Sequence, residues 1–177
     1  LDTEVYSNTG GQSSKSSNIG SVASFTSNGK DNYKKDLARI AMCYPHVYVA
    51  SVNIGYNKEQ YLKAIKEASL HNGPSLIIAY SPCKKRGIKT GMQHSQSNGY
   101  LATKCGYFLT FRYNPDTKKF SLDSKEPEFD KYEDYLMTEN RFASLVRKDK
   151  ERARLLLEEQ KQWAIDRYNY YKKISEE

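Results

Sequence analysis

Polar and apolar residues alternate through Leu1-Asp2-Thr3-Glu4-Val5-Tyr6-Ser7, the two-residue period of an extended chain. That period places Leu1, Thr3, Val5 and Ser7 on one side of a strand and Asp2, Glu4 and Tyr6 on the other. It stops at Asn8-Thr9-Gly10-Gly11, where paired glycines admit backbone conformations that other residues resist. Asn18 to Asn32, rich in Ser, Gly, Asn and Thr, reads as a loop with a short ordered turn. Helical spacing begins with Leu37, Ile40 and Ala41 in Lys35–Cys43, where Asp36 favours the amino end and Pro45 cannot continue the helix. The β-branched and aromatic run His46–Val52 predicts a buried strand. Asn57 is an N-cap for a helix through Ser69, with Tyr61, Leu62, Ile65 and Ala68 as its apolar face. Gly73-Pro74 separates that helix from a strand over Ser75–Tyr80.

Strand, helix and strand in this order form a right-handed crossover, the unit of a parallel sheet with helices on its faces. The expected fold class is therefore α/β, a mostly parallel sheet with flanking helices, in which Leu1–Val5, Val47–Val52 and Ser75–Tyr80 lie parallel. Their carboxyl ends then share one rim, formed by Thr3–Asn8 and Ser81–Lys84, and open α/β sheets place ligands at such rims. On residue type alone the Asn8–Gly11 loop fits a flexible surface turn as well as a ligand loop. Thr3 is then an ordinary strand threonine, Asn8 a turn former, and Cys83 a small buried side chain.

Beyond Cys83 the pattern predicts a loop and a helix between Gly87 and Lys104, ending near Gly106. A strand over Tyr107–Tyr113, a turn at Asn114-Pro115-Asp116 and a strand at Phe120–Leu122 suggest a hairpin. A charged connection from Asp123 to Asp130 leads to helices over Tyr132–Leu136, Asn140–Val146 and Asp149–Ile174. In the last, the pairs Leu156/Leu157, Trp163/Ala164 and Tyr170/Tyr171 recur seven residues apart, a stripe suited to packing more than to stacking on nucleic-acid bases. The chain divides into residues 1–122 and a helical extension, 123–177, packed on them.

Composition narrows the function class. With 177 residues, 38% of them hydrophobic, the chain can bury one ordinary core. No apolar run is long enough to cross a bilayer, and the polar start is no signal peptide. The net charge of +7 raises nucleic acid as a partner, yet Lys84-Lys85-Arg86 is the one dense cluster, and the last helix mixes both signs along its surface. The three cysteines, Cys43, Cys83 and Cys105, show no Cys-x-x-Cys spacing, which suits a reducing compartment. His46, His71 and His94 are too scattered for a metal motif.

The segment Asp2-Thr3-Glu4-Val5-Tyr6-Ser7-Asn8-Thr9-Gly10-Gly11-Gln12-Ser13-Ser14-Lys15 resembles the carboxyl-terminal part of the thiamine-diphosphate domain of pyruvate:ferredoxin (flavodoxin) oxidoreductases. Lys34–Arg39, Tyr48–Val52, Gly73–Tyr80 and Cys83 continue the resemblance in collinear order over nearly the whole chain. It implies a fragment that starts inside the cofactor domain of a much larger enzyme. That enzyme converts pyruvate and coenzyme A to acetyl-CoA on thiamine diphosphate and sends electrons through [4Fe–4S] clusters to ferredoxin or flavodoxin. It further implies magnesium ligation by the Thr3 side-chain oxygen and the Val5 carbonyl, and Asn8 as the catalytic asparagine beside the thiazolium ring. Cys83 is implied as one ligand of the cluster nearest the thiamine, its thiolate favoured by the cationic run that follows. Cys43 and Cys105 have no counterpart and are expected as core thiols.

The family's third magnesium ligand, an aspartate in a Gly-Asp-Gly motif, belongs one crossover unit upstream of Leu1, and Asp2 faces the wrong way to replace it. The fragment alone is therefore expected to be inactive. The implied parent is a cytoplasmic homodimer, or resides in a hydrogenosome-type organelle of a protist, without nucleic-acid or membrane partners. A related 2-oxoacid oxidoreductase, a fusion passing electrons to NADP, and a free-standing basic interaction module are the competing readings.

Overall fold

The computed structural model describes residues 1–176. In chain order these form β1 (Val5–Tyr6), β2 (Gln12–Ser13), α1 (Leu37–Met42), β3 (Tyr48–Val52), α2 (Lys58–Leu70), β4 (Ser75–Ala79), α3 (Ser95–Lys104), β5 (Phe111–Asn114), β6 (Lys119–Leu122), α4 (Tyr132–Thr138), α5 (Asn140–Lys148) and α6 (Lys150–Glu176). The fold is α/β, with open sheets that are partly parallel. β4 and β3 run parallel, from Tyr48↔Ser75 to Val52↔Ala79, joined by α2 as the crossover. On its other side β3 takes β5 antiparallel, and β6 follows antiparallel because the short turn after Asn114 can only fold the chain back on itself. All five residues of β3 are buried, as a strand covered on both faces requires.

The caps form as the residue types dictate. The Asp36 carboxylate accepts from the Arg39 N–H at 3.1 Å, and the Asn57 side-chain oxygen accepts from the Gln60 N–H at 3.0 Å. The α2 face differs from the expected one. Gln60 and Ala64 are buried, with Tyr61 and Ala68 packed beside them, whereas Leu62 is 65% exposed and Ile65 is half exposed. The reason is contact geometry. The crossover seats α2 closely against β3, where Ala64 fits and where the Gln60 amide can donate to the Ser51 carbonyl at 3.2 Å and the Asp123 carboxylate at 2.9 Å.

The expected strand Leu1–Val5 is mostly lost. Only Asp2 bridges the sheet, in parallel with Tyr80, its N–H donating to the Ala79 carbonyl and its carbonyl accepting from the Ser81 N–H. Glu4 then adopts φ 65°, the left-handed region, which turns the chain off the sheet edge into the β1–β2 pair. Alternation breaks at that residue.

The core draws on both ends of the chain. Tyr80, Tyr107 and Phe108 pack with Tyr132, Tyr135, Leu136, Phe142, Leu157 and Ala164, while Val49, Phe111 and Phe120 pack with Tyr168 and Tyr171. Phe120 and Tyr171 stack with centroids 5.4 Å apart and planes at 5°. Within α6, Leu156, Leu157, Ala164 and Tyr171 are buried as the seven-residue pairs predict, and Trp163 packs against Tyr33 with ring centroids 5.2 Å apart. Cys105 is a core thiol, its pKa pushed up to about 12 by burial. Cys43 is not: it lies exposed at the end of α1, because that short helix buries only Ala38.

His71, at the end of α2, is a satisfied structural histidine. Its Nε2 lies 3.0 Å from the His46 carbonyl and its Nδ1 lies 3.1 Å from the Asp116 carboxylate. Both partners are acceptors, so the contacts favour a proton on each ring nitrogen. The His46 carbonyl, and after it Asp116, raises the His71 pKa. A raised folded-state pKa gives a contribution fully present below the unfolded value of about 6.5 and lost as pH rises through the folded value. Denaturant midpoints of the wild type are expected to fall as pH rises above about 6.5, and those of His71→Gln to fall less over the same range.

Candidate functional site

The two expected rims meet, and the route between them runs through hydroxyl groups. Thr3 Oγ1 lies 3.1 Å from the Val5 carbonyl oxygen and accepts from Ser7 Oγ at 2.8 Å. Ser7 Oγ is in turn 3.7 Å from Cys83 Sγ. Cys83 is only 1% exposed and packs against Val5 and Ala23. Thr3, Val5 and Cys83 therefore sit in one small region, and Asn8 stands exposed in the turn beyond them, closed by the Gly11 N–H donating to the Tyr6 carbonyl.

What brings the Thr3 hydroxyl and the Val5 carbonyl together is the left-handed turn at Glu4, not strand alternation. Magnesium at about 2.0–2.1 Å from octahedral oxygen ligands separates adjacent ligands by about 2.9 Å. The 3.1 Å between these two oxygens fits one edge of such an octahedron. Both are hard, uncharged oxygen donors, the chemistry magnesium accepts. Among the described residues no group of three or more His, Cys, Asp or Glu side chains is placed to hold a metal. The Asp2 carboxylate is otherwise engaged, pairing with Lys34 at 2.7 Å and accepting from Ser16 Oγ at 2.7 Å. Burial opposes its charge, yet Lys34 outweighs that and holds its pKa below the ordinary value.

Beneath the site is an ionic network that sequence reasoning missed. Glu4 is buried and pairs with Arg141 at 2.7 Å and Lys34 at 2.6 Å, and it accepts from the Tyr107 hydroxyl at 2.5 Å. Arg141, fully buried at the start of α5, also pairs with Glu139 at 3.1 Å. Glu139 accepts from Asn98 at 2.7 Å and from the Tyr135 hydroxyl at 3.3 Å, and Tyr135 shares a 2.6 Å hydrogen bond with Tyr80. Burial pushes the Glu139 carboxyl upward. The Glu4 carbonyl accepts from Ser14 Oγ at 3.2 Å and from Ser17 Oγ. One signal in the sequence pointed here: an acidic residue between Thr3 and Val5, in a segment otherwise suited to burial, needs a cation.

The Gly10–Gly11 pair fixes where the two loops touch. Gly11 has φ 77°, and a Cβ there would stand 2.8 Å from Lys85 Cγ. The Lys85 stem thus lies across the glycine, and the loop after β4 crosses the turn after β1. Gly11→Ala is expected to cost about 1–2 kcal/mol for the left-handed backbone, with Lys85 moving aside, measurable as a lower urea midpoint. Elsewhere a cavity of about 380 Å³ lies between α1, β4 and α6, bordered by Leu76, Ile78, Phe108 and Trp163; none of Thr3, Val5, Asn8 or Cys83 lines it. Among the described residues, no helix is long and apolar enough to cross a membrane.

No family model matches the chain. Individual relatives do. A pyruvate-flavodoxin oxidoreductase of Klebsiella pneumoniae is 44% identical over 182 residues, spanning 100% of this chain and 16% of its own length. A pyruvate:ferredoxin oxidoreductase of Moorella thermoacetica is 46% identical over 181 residues, spanning 99% of this chain and 15% of its own. A pyruvate dehydrogenase [NADP(+)] of Cryptosporidium parvum is 41% identical over 190 residues, spanning 99% and 10%. The chain thus spans about one-sixth or less of the curated relatives it matches. Over its whole length it is homologous to one segment of the pyruvate:ferredoxin and pyruvate-flavodoxin oxidoreductases.

Proposed function

We propose that this chain is the part of a pyruvate:ferredoxin (flavodoxin) oxidoreductase that contributes two magnesium ligands and one iron–sulfur ligand to sites completed by the rest of the enzyme. The observation that carries the reading is the cluster formed by Thr3 Oγ1, the Val5 carbonyl and Cys83, joined through Ser7 within one region of a chain homologous throughout to that family. Thr3 and Val5 offer oxygens to the cation that anchors the diphosphate, and Asn8 offers an exposed amide to charge developing on a substrate-derived oxygen. Cys83 offers one thiolate to a [4Fe–4S] cluster, whose other three come from elsewhere, since such a cluster needs four. Thiamine diphosphate, when bound, supplies the carbanion chemistry of 2-oxoacid decarboxylation, and the protein's part is binding, orientation and electrostatics.

Pyruvate and coenzyme A are the substrates on this reading, and ferredoxin or flavodoxin the electron acceptor, with an excess of basic residues suited to an acidic carrier. The NADP-linked relative favours a second version, in which the electrons end on NADP. The parent is a cytoplasmic homodimer. Residues 1–122 complete the thiamine-diphosphate domain, and 123–177 serve as its helical extension.

The test uses the full-length oxidoreductase. Cys83→Ser is expected to lose about one cluster's worth of iron while retaining thiamine diphosphate; full iron content would remove Cys83 from the ligand set. Calorimetric titration of the isolated chain with magnesium and thiamine diphosphate is expected to show no binding. Tight binding would show that two donors are not the chain's whole contribution.

A further inference from the structure

We propose that Ser7 is a positioning residue that couples the cation side of this site to its iron–sulfur side, by hydrogen-bonding the Cys83 sulfur when a cation occupies the Thr3 and Val5 oxygens. The proposal rests on the functional reading above and adds a residue to which that reading gives no role.

Ser7 Oγ stands between the two sites, 2.8 Å from Thr3 Oγ1 and 3.7 Å from Cys83 Sγ. Among the described residues it is the single side-chain hydrogen-bond partner of that sulfur, which otherwise faces the apolar side chains of Val5 and Ala23. The direction of the hydroxyl protons decides what Ser7 does. In this structure the Thr3 hydroxyl donates to the Val5 carbonyl, so its oxygen is free to accept from Ser7. A cation held by both Thr3 Oγ1 and the Val5 carbonyl can use the second lone pair of each oxygen, but the proton of a metal-bound hydroxyl points away from the ion and so off the line to the Val5 oxygen. Ser7 Oγ, already 2.8 Å from Thr3 Oγ1, is placed to accept the Thr3 proton, and the Ser7 proton then turns to the sulfur.

A hydrogen bond to a ligating sulfur offsets the negative charge that one-electron reduction adds to an iron–sulfur cluster, and so raises its potential. Here that bond has a second consequence. Because its donor is released by cation binding, the cluster is easiest to reduce when the cation that anchors the thiamine cofactor is in place.

The experiment is a potentiometric titration, followed by electron paramagnetic resonance, of the full-length oxidoreductase with and without bound magnesium. Ser7→Ala is expected to make reduction of the cluster nearest the thiamine about tenfold less favourable, which is about 59 mV for one electron. Ser7→Thr, which keeps the hydroxyl, is expected to restore the wild-type value. Removing magnesium is expected to lower the wild-type potential by more than that of Ser7→Ala, since the charge of the cation acts on both and the hydroxyl on the wild type alone. Equal iron content in wild type and Ser7→Ala shows that the cluster itself is intact. If Cys83→Ser loses that cluster while Ser7→Ala matches the wild-type potential, the role of Ser7 is overturned and the functional reading stands. If Cys83→Ser keeps all its iron, both fall.

Discussion

Replacing Arg141 with methionine is expected to destabilise the chain by about 3–5 kcal/mol, the cost of removing one partner from a buried ion pair. The guanidinium is fully buried and stands between two carboxylates, 2.7 Å from Glu4 and 3.1 Å from Glu139. Without it Glu139 keeps, among the described residues, only the neutral donors Asn98 and Tyr135, while Glu4 keeps Lys34. Burial already pushes the Glu139 carboxyl upward, and without the guanidinium that opposes this its folded pKa rises further. Stability falls with pH wherever the folded state binds more protons. The deficit of Arg141→Met relative to wild type is therefore expected to be smaller at pH 5 than at pH 8, read from urea unfolding at each pH. A deficit that does not change with pH would exclude the Glu139 carboxylate as its cause. Adding Glu139→Gln is expected to recover part of the loss, because the carboxylate left without a cation is then neutral while Glu4 keeps Lys34.

The same network shows where the sequence was legible and where it was not. Local signals worked. Asp36 and Asn57 cap the helices that their residue types announce, and the apolar run Tyr48–Val52 is buried along its whole length. The turn and β6 of the hairpin and the three terminal helices lie close to their predicted spans, whereas β5 begins at Phe111, four residues after the expected Tyr107. Nothing in the two-residue period of Leu1–Ser7 revealed that Glu4 turns left-handed, because what holds it there comes from Lys34, Tyr107 and Arg141, as many as 137 residues along the chain. Period and propensity are local quantities, and the Glu4 conformation is set by tertiary pairing. Leu62 and Ile65 teach the same lesson on α2. Their spacing is helical, but the close approach of α2 to β3 gave the inner face to Gln60 and Ala64. The site residues Thr3, Val5, Asn8 and Cys83 came from the resemblance, while Ser7, which connects two of them, could be recognised only by distance.

Thr3→Val is expected to weaken divalent-cation binding in the full-length oxidoreductase by at least about 100-fold, since outer partners of a metal site alone are worth 10–100-fold and Thr3 is proposed as a direct ligand. Valine keeps the shape of threonine and removes its oxygen. Thr3 is half-buried, and among the described residues its hydroxyl bonds only to the Val5 carbonyl and to Ser7, so the fold is expected to tolerate the change. Magnesium makes the loss severe, because it holds a near-ideal octahedron and exchanges water reluctantly, so the Val5 carbonyl and the donors from the rest of the enzyme do not replace the missing oxygen. Manganese, which also prefers oxygen ligands, serves as the spectroscopic probe. Free and bound manganese are counted by electron paramagnetic resonance, and retained thiamine diphosphate is counted after gel filtration. Thr3→Ser keeps the oxygen and is expected to bind manganese close to the wild-type affinity. Undiminished manganese binding in Thr3→Val, with its melting temperature unchanged, would mean that the 3.1 Å pair of oxygens is a turn hydrogen bond and nothing more. Loss of binding in Thr3→Val and its return in Thr3→Ser would assign the hydroxyl to the ion, because serine carries one hydroxyl where valine carries two methyl groups, while the Glu4 turn beneath them stays paired to Arg141 and Lys34.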